Sequence, residues 1–511
     1  MQHFRILTLI LEILHIKTKG LKTMTLIFSG NDYKYELESV VKLFFPAQLF
    51  TLLYDERNAE GDLCFMRKKM GKTKTYLYAF VRLGDKTAKL STRVMNTEEN
   101  LEKKCELELA RLLFLCLKKL TGITPGWGLI TGVRPVKRVN RMIEEGYTKE
   151  QIMQELDTKY LVSKEKINLA FLTAKAQNVI LKNLKNDTFS LYVSIPFCPS
   201  RCSYCSFVSQ SIDRVKKIIP QYIENLCEEI KYTAKIASEL NLKLDTVYFG
   251  GGTPTAITAQ QLEALMKAVN LSFDLSHLRE YTVEAGRADT ITREKLEVIK
   301  NNKATRISIN PQTLNDDVLK AIGRKHTAQQ VIDSFNLARE IGFDNINMDL
   351  IAGLPSDTVE SFKATLDKVI DLNPENVTVH TLSIKRAADL NHGDREVLHN
   401  PVPEMIEYSS KKLIENGYNP YYLYRQKNTL GNLENTGYAK KNKESLYNIF
   451  IMEEIQTIIA TGAGASTKLV SESGIERIYN YKHPLEYNNH FELMLEKKSA
   501  IKQTLLKNKT N

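Results

Sequence analysis

The spacing of apolar and polar residues follows two different patterns along the chain, and the change falls near residue 185. Before it, strand-like alternation in residues 75–82 and 88–94, joined through Gly84 and Asp85, predicts a hairpin. Apolar residues at helical spacing then predict helices over residues 101–120, 137–145 and 164–184. We therefore expect a small α+β domain in this part of the chain.

Beyond residue 185, short apolar runs alternate with helical patterns such as 222–240 and 328–341. The six runs span residues 191–195, 246–249, 281–283, 306–309, 346–351 and 377–382. Six strand-then-helix units in series predict an α/β fold, a parallel sheet curled into a partial (β/α)6 barrel of the TIM type. Functional side chains of such a sheet lie beyond the carboxyl ends of its strands.

From these spacing patterns we expect four regions along the chain. They are an extension outside the fold (1–23), the α+β domain (24–184), the barrel (185–400) and a mixed C-terminal region that contacts substrate (401–511). The apolar run at residues 6–16 follows a positive start, but Glu12 and His15 interrupt it and no small-residue cleavage site follows. We therefore expect no secretion signal.

Composition and charge narrow the class of protein. Of the 511 residues 43% are hydrophobic and 26% charged, and no run approaches the ~20 apolar residues of a membrane span. Seven cysteines are too few for a disulfide scaffold, which predicts reduced thiols and a cytoplasmic location. The net charge is +11, but residues 1–23 hold +3 of it and 497–511 hold +5, so no nucleic-acid partner is expected.

A cluster of three cysteines follows the first predicted barrel strand. Cys198, Cys202 and Cys205 lie within eight residues in a CxxxCxxC pattern. A zinc site would use four ligands, commonly in two separated pairs, and a redox dithiol needs only two cysteines. Three thiolates on one loop suit a four-iron four-sulfur (4Fe–4S) cluster with one iron left open. The isolated cysteines are expected to be packing residues: Cys64, Cys105, Cys116 and Cys227.

The later strands of the series also end in residues that carry chemistry. The second strand ends in a Gly250-Gly251-Gly252-Thr253 loop, and glycine permits close approach of a ligand to the backbone. The next three strands are followed by Glu284 with Arg287, by Gln312 and by Asp349. Each polar residue has a structural alternative: Glu284 could pair with Arg287, Gln312 could cap a helix, and Asp349 could satisfy a neighbouring strand.

The cysteine spacing, with Tyr204 inside it, resembles that of the radical S-adenosylmethionine (SAM) enzymes. Three further motifs strengthen the resemblance: Ile-Pro-Phe-Cys ending at Cys198, Gly-Gly-Gly-Thr-Pro-Thr starting at Gly250, and Met-Asp-Leu-Ile-Ala-Gly-Leu-Pro starting at Met348. Over about residues 185–470 the chain resembles the oxygen-independent coproporphyrinogen III oxidase family, also called coproporphyrinogen dehydrogenase. Its first 185 residues resemble the branch of that family with an extra N-terminal region.

The resemblance implies roles for particular residues. The cluster ligands would be Cys198, Cys202 and Cys205. Contacts to the cleaved SAM would be Tyr192, Gly251 and Glu284. The positions around a second SAM in the true oxidases would be Tyr204, Gly252, Thr253, Gln312, Arg324, Asp349 and Thr381. The chain departs from the family pattern at Val193-Ser194 and lacks a recognisable counterpart of the short N-terminal arm.

The implied activity is radical-based oxidative decarboxylation of coproporphyrinogen III to protoporphyrinogen IX in haem biosynthesis. It would need an electron donor such as flavodoxin or ferredoxin. The propionates of this tetrapyrrole call for cations, and the candidates beyond the barrel motifs are Lys385, Arg386 and Arg425. The main alternative is a haem-binding chaperone, with His380 or His326 as haem ligand. RNA-modifying methyl transfer is disfavoured by the near-neutral body of the chain and by the lack of extra acceptor cysteines.

Overall fold

The computed structural model describes residues 23–46, 48–55, 59–207, 209–383, 402–426, 429–472 and 474–510. It contains two compact units. The first runs to Gly132 and includes Thr148–Ile167, and the second comprises Val133–Tyr147 together with the chain from Asn168 onward. The functional division at residues 23, 184 and 400 stays a prediction.

The first unit is a five-stranded sheet covered by helices on one face. Its leading helices are α1 (Lys34–Phe44) and α2 (Leu101–Thr121). Its strands are β1 (Met24–Ser29), β2 (Phe50–Tyr54), β3 (Leu63–Met70), β4 (Lys74–Leu83) and β5 (Lys86–Met95). In the sheet order β2-β1-β3-β4-β5, β1 is parallel to β2 and β3, while β3, β4 and β5 are antiparallel. The predicted hairpin is confirmed as β4–β5.

Alternation along β3, β4 and β5 decides which face of this sheet is buried. Met66, Leu77 and Ala79 point to one face and pack with Leu113 and Phe114 of α2 in a single apolar core. Gly122 ends α2 in the left-handed region, at φ 73°, as the sequence predicts. Of the next three helices, α3 (Pro135–Glu144) belongs to the second unit and α4 (Lys149–Thr158) to the first, while α5 (Lys164–Leu181) begins in the first unit and continues in the second.

The second unit alternates strands and helices. Its strands are β6 (Thr188–Ile195), β7 (Phe197–Cys198), β8 (Gln210–Ser211), β9 (Lys243–Gly251), β10 (Glu280–Gly286), β11 (Arg306–Ile309), β12 (Ile346–Ala352), β13 (Asn376–Thr381), β14 (Asn419–Arg425), β15 (Glu434–Ala439), β16 (Thr457–Thr461), β17 (Ser466–Ser471) and β18 (Gly474–Tyr479). Its further helices are α6 (Ile212–Val215), α7 (Ile219–Glu239), α8 (Ala259–Ser272), α9 (Arg293–Asn301), α10 (Asp316–Ala321), α11 (Ala328–Glu340), α12 (Val359–Leu372), α13 (Val402–Glu415), α14 (Leu446–Glu453), α15 (Pro484–Asn489) and α16 (Phe491–Thr510).

Within the described residues, eleven of these strands form one sheet in the order β14-β15-β13-β12-β11-β10-β9-β6-β16-β17-β18. The six predicted strands, β6 and β9 to β13, are neighbours and all parallel, which confirms the predicted α/β core. β16 adds a seventh parallel strand beside β6, in a region that the sequence pattern left mixed. Because parallel strands are buried on both faces, they are rich in Val, Ile and Leu.

The end of β6 is fixed by a buried polar network. The Tyr222 hydroxyl of α7 donates to the Ser194 carbonyl (2.9 Å) and accepts from the amide of Ala463 (2.9 Å) in the turn after β16. In the same turn the Gly462 amide donates to Glu229 (2.7 Å), which also pairs with Lys498 of α16 at 3.0 Å. These contacts hold the root of the cysteine loop between α7, β16 and the last helix. No helix in the described part of the chain is both long and apolar enough to cross a bilayer.

Candidate functional site

A cavity of about 330 Å³ lies at the carboxyl ends of the parallel strands. Its lining includes twelve of the residues singled out in the sequence: Cys198, Cys202, Tyr204, Cys205, Gly251, Gly252, Thr253, Glu284, Gln312, Arg324, Asp349 and Thr381. These residues span more than 180 positions in sequence, so the parallel topology is what brings them together.

The cysteine loop forms one wall of the cavity. Cys198 ends the short strand β7, and the Cys205 amide donates to the Cys202 carbonyl at 3.0 Å. Burial raises the pKa of the Cys198 and Cys205 thiols, although the Thr253 hydroxyl, 3.6 Å from the Cys198 sulfur, acts in the opposite direction. Both thiols are therefore neutral at pH 7 unless a metal displaces their protons.

The glycine loop after β9 packs directly against the strand that precedes the cysteines. The Gly252 amide donates to the Ile195 carbonyl (2.8 Å), and the Thr253 amide donates to the Phe197 carbonyl (2.8 Å). A Cβ on Gly252 would lie 2.5 Å from the Phe197 oxygen, so no larger residue fits there. Gly251 has φ 109°, which only glycine adopts readily. The loop thus requires glycine at both positions, and Gly251 presents bare backbone to the cavity.

Glu284, at the end of β10, is the buried carboxylate beside this loop. The Tyr248 hydroxyl of β9 donates to it at 2.6 Å. Burial raises the pKa of Glu284 to about 7, and the nearby Asp349 adds to the rise, while the Tyr248 hydrogen bond opposes it. Arg287 pairs with Asp289 and not with Glu284. A cationic ligand would favour its ionised form, because an opposite charge stabilises a carboxylate.

Asp349 of β12 lies within a second polar group on the cavity wall. It accepts from Asn347 Nδ2 at 2.7 Å, and His380 Nε2 of the neighbouring strand β13 lies 3.9 Å away. Burial acts to raise the pKa of Asp349, but His380 and Asn347 together hold it below its usual range. Asn347 also accepts from the Thr378 hydroxyl at 3.0 Å. Asp349 therefore lies beside His380 of the neighbouring strand and also lines the cavity.

Gln312 and Arg324 complete this wall. Gln312 adopts a left-handed backbone at φ 68° and caps no helix; its amide donates to the Asp349 carbonyl at 2.9 Å. Such a conformation is uncommon for a residue other than glycine and is frequent at functional sites. Arg324 donates to the Asn310 carbonyl (2.5 Å) and the Tyr204 hydroxyl (3.3 Å), while its buried Nε has no hydrogen-bond partner among the described residues.

Arg287 points to the cysteine loop side of the cavity. It pairs with Asp289 through two hydrogen bonds of 3.0 and 2.7 Å, and His326 Nδ1 lies 3.4 Å from the same carboxylate. Burial opposes ionisation of Asp289, but His326 and Arg287 hold its pKa well below the usual range. His326 is buried behind this pair and does not line the cavity, whereas His380 does.

Several predicted residues are not brought into the cavity lining. Tyr192 lies one layer below it, with its ring 6.2 Å from those of Tyr248 and Tyr447. Arg425 is buried on β14, between the lining residues Tyr424 and Gln426, and its Nε donates to the Asn432 carbonyl at 3.0 Å. The placement of Arg425 therefore does not suit a substrate contact. Lys385 and Arg386 lie outside the described residues.

The cavity is also lined by residues that no sequence motif marks. They include Tyr248, Asn347, Thr378, Tyr422, Tyr424, Asn435, Asn448 and Met452. For two of them a signal existed: Tyr422 and Tyr424 are two apart on a strand, and such residues share a face. The others come from strand interiors or from α14, where no local motif marks them.

The donor set suits an iron–sulfur cluster and a cationic amino-acid ligand. Three thiols share one loop, and a glycine-lined backbone edge and a buried carboxylate face the same cavity. Among the described residues no three His, Cys, Asp or Glu side chains converge as ligands of a single metal ion. A 4Fe–4S cluster binds each thiolate through a different iron, so its ligands need not meet at one point.

The chain is similar to known proteins over much of its length. The model of the radical SAM superfamily matches residues 192–369. The chain is 42% identical over 410 residues to the oxygen-independent coproporphyrinogen-III oxidase-like protein HemZ of Bacillus subtilis (strain 168), covering 79% of this chain and 82% of that protein. It is 34% identical over 324 residues to the heme chaperone HemW of Lactococcus lactis subsp. lactis (strain IL1403), covering 62% and 80%. The solved coproporphyrinogen III oxidase (HemN) from Escherichia coli aligns with a TM-score of 0.46 at 23% identity, covering 64% of this chain and 73% of that one.

Proposed function

The chain belongs to the oxygen-independent coproporphyrinogen III oxidase-like family of the radical SAM superfamily, and from this we propose that it is a SAM-dependent oxidoreductase that decarboxylates the propionates of coproporphyrinogen III. Membership of the superfamily brings one 4Fe–4S cluster and SAM as cofactors, as the sequence predicted. The observation that carries the proposal is the convergence of the cysteine loop, the glycine loop and the Asp349 wall on one cavity.

In this proposal Cys198, Cys202 and Cys205 hold the cluster. When bound, the cluster and SAM supply the one-electron chemistry that removes a hydrogen atom from an unactivated carbon. The bare backbone at Gly251 accommodates the methionine end of SAM. Glu284 supplies a negative charge in a buried site, where an interaction with the cationic ligand is stronger than in water.

The second wall of the cavity has the residues for a further ligand beside the first. Gln312, Arg324 and Asp349 offer an amide, a guanidinium and a carboxylate to the same cavity, and Thr381 also lines it. Tyr422 and Tyr424 add flat apolar surface, which suits the ring system of a tetrapyrrole. The walls of the cavity would hold the reacting carbon of a bound substrate near the cysteine loop.

The propionates of the substrate need cations at the mouth of the cavity. Arg201 is exposed there and lines the cavity. Lys385 and Arg386 remain candidates, since they follow β13 closely in sequence. Arg425 has a structural role in this proposal, because it is buried beside β14 away from the cavity lining.

A second candidate function is haem carriage, and His380 favours it. The imidazole lines the cavity and is partly exposed, as a haem ligand has to be. Relatives named heme chaperones are 34% identical to this chain or less over their aligned parts. In this reading SAM binds, but no propionate is lost.

One anaerobic experiment separates the two functions. Reconstituted protein is incubated with coproporphyrinogen III, SAM and a reductant, and the tetrapyrroles are separated by chromatography; the matched control is the Cys205→Ala variant. Protoporphyrinogen IX made by the native protein alone supports the oxidase. Stoichiometric haem binding that disappears in His380→Ala, without any decarboxylation, would establish the carrier instead.

A further inference from the structure

On the face opposite α1 and α2, strands β3, β4 and β5 of the first unit carry an unusual set of side chains, in which exposed cations surround the exposed ring of Tyr76 and three partly buried rings. Directly opposite residues on antiparallel strands project to the same face. The register of β3, β4 and β5 therefore gives three rows on the face opposite α1 and α2. The rows are Phe65–Phe80–Lys89, Arg67–Tyr78–Ser91 and Lys69–Tyr76–Arg93.

Four aromatic rings and four cations occupy these nine positions. Tyr76 is 54% exposed, and Arg67, Lys69, Lys89 and Arg93 are all exposed. Neither Asp nor Glu occurs anywhere in the three strands, and residues 63–95 hold nine Lys or Arg against a single Asp. The face is thus strongly positive, although residues 24–496 together carry only +3 of the net charge of +11.

Two features distinguish this face from an ordinary solvated sheet. Its cations have no acidic neighbour on the same strands, so the face repels other cationic surfaces and attracts anions. Its central column, Tyr76, Tyr78 and Phe80, is aromatic throughout, and the rings of Phe65 and Tyr78 meet edge to face with centroids 6.1 Å apart. Successive rings on one strand face are about 7 Å apart.

We propose that this face, formed by β3, β4 and β5, binds single-stranded nucleic acid. Flat aromatic rings on a sheet offer platforms on which unpaired bases stack, and flanking lysines and arginines contact the phosphates. The aromatic column favours this ligand over an acidic protein, which would need the cations but not the rings. The inference goes against the expectation of no nucleic-acid partner, which rested on the location of most of the excess positive charge at the two ends of the chain.

The test measures fluorescence anisotropy of a labelled 12-nucleotide single-stranded RNA with the full-length protein under anaerobic conditions. Parallel arms use single-stranded DNA of the same sequence, duplex DNA and vesicles containing anionic lipid. We expect the single strands to bind more tightly than the duplex. A preference for RNA over DNA would identify RNA as the strand recognised, and equal affinity would mean a general single-strand site.

Three variants locate the site. Tyr76→Leu keeps an apolar side chain but removes the stacking ring, and should weaken binding about tenfold. Lys69→Ala with Lys89→Ala should reduce the salt slope of log affinity by about 1.4. Lys118→Ala with Lys119→Ala removes the same charge from the exposed end of α2, and should change the slope little.

We expect each variant to melt at the same temperature as the native protein, because all the changed side chains are exposed. Such a result would exclude unfolding as the cause of weaker binding. No binding of any single strand at low salt would overturn the proposal. It would also fail if Tyr76→Leu bound normally, or if vesicles or duplex competed as well as the single strand, since the face would then be only a general anion-binding surface.

Discussion

The guanidinium of Arg287 donates hydrogen bonds to the cysteine loop at Ser200, midway between Cys198 and Cys202. Its Nη1 donates to the Ser200 carbonyl at 3.0 Å and to the Ser200 hydroxyl at 2.9 Å. The other side of the same guanidinium is held by Asp289. Arg287 therefore connects the end of β10 to the loop that carries the thiols, and it is buried while doing so.

We predict that Arg287→Met weakens cluster retention. Methionine keeps the length of the side chain but loses both hydrogen bonds to Ser200, each worth about 1.5 to 3 kcal/mol when the donor is charged. Iron content after anaerobic reconstitution, and the rate of cluster loss on exposure to air, measure the effect. Arg293→Met is the matched control, because that arginine is half exposed on α9 and pairs only with surface acids. Equal retention in both variants would contradict a role of Arg287 in positioning the loop.

Each cysteine of the loop should be required for the cluster. Cys198→Ala, Cys202→Ala or Cys205→Ala is expected to lower the iron from about four atoms per chain to nearly none. The control is Cys227→Ala on α7, which lies outside the cavity and should retain the iron. Iron and sulfide analysis with absorption spectra checks this. Loss of iron in Cys227→Ala with retention in the other three would refute the assignment.

The two cavity glycines should fail in different ways. Gly252→Ala forces a Cβ against the Phe197 carbonyl, next to Cys198, so we expect the loop to move and the iron content to fall. Gly251→Ala meets neighbours only at 3.1 to 3.3 Å and should keep the cluster but lose most formation of 5′-deoxyadenosine. Gly417→Ala, at φ 81° with open space around it, controls for backbone strain. Native 5′-deoxyadenosine formation in Gly251→Ala would show that the loop is only a turn.

Glu284 should make both cofactor affinity and stability depend on pH. Its pKa of about 7 exceeds the ordinary value of 4.5, so the stability it contributes is present at low pH and is lost as pH rises through 7. Glu284→Gln stays neutral and should be more stable than the native protein at pH 8, by about 1 to 3 kcal/mol, with little difference at pH 4. Thermal unfolding of the apoprotein across this range measures the difference.

The same ionisation should control SAM binding. Native affinity is expected to weaken by up to about tenfold per pH unit below 7, as the carboxylate becomes protonated. Glu284→Gln should bind weakly at every pH. Anaerobic calorimetry provides the measurement, and a pH-dependent affinity preserved in Glu284→Gln would assign the titration to another group.

The parallel core and its motifs could be predicted because their signals are local. Each strand is a short apolar run, and the functional residue follows it within a few positions, as with Cys198 after β6 or Glu284 at the end of β10. Because the strands are parallel, their carboxyl ends meet at one edge of the sheet. These residues can therefore be assigned to that edge before any side-chain contact is known. Twelve of the predicted residues line one cavity for this reason.

Other features depend on contacts that the sequence does not display. The support of Glu284 by Tyr248 follows from the register of two strands 36 residues apart. Arg425 is a predicted propionate contact because it is a cation that follows the barrel motifs, but alternation along β14 turns Tyr424 to the cavity and Arg425 away from it. Similarly, Arg287 stands three residues from Glu284 yet pairs with Asp289, because the chain turns immediately after β10.

The parallel pairing of β16 with β6 has a consequence for the order of biosynthesis. The Thr461 hydroxyl donates to the Tyr192 carbonyl across 269 residues of sequence. At about 5 to 20 residues per second, the ribosome finishes β16 roughly 13 to 53 seconds after it has made β6. The cysteine loop therefore exists on the nascent chain well before the strand that flanks its root, and iron delivered earlier than this would meet an unsupported loop. We therefore expect the cluster to be inserted into the nearly completed polypeptide.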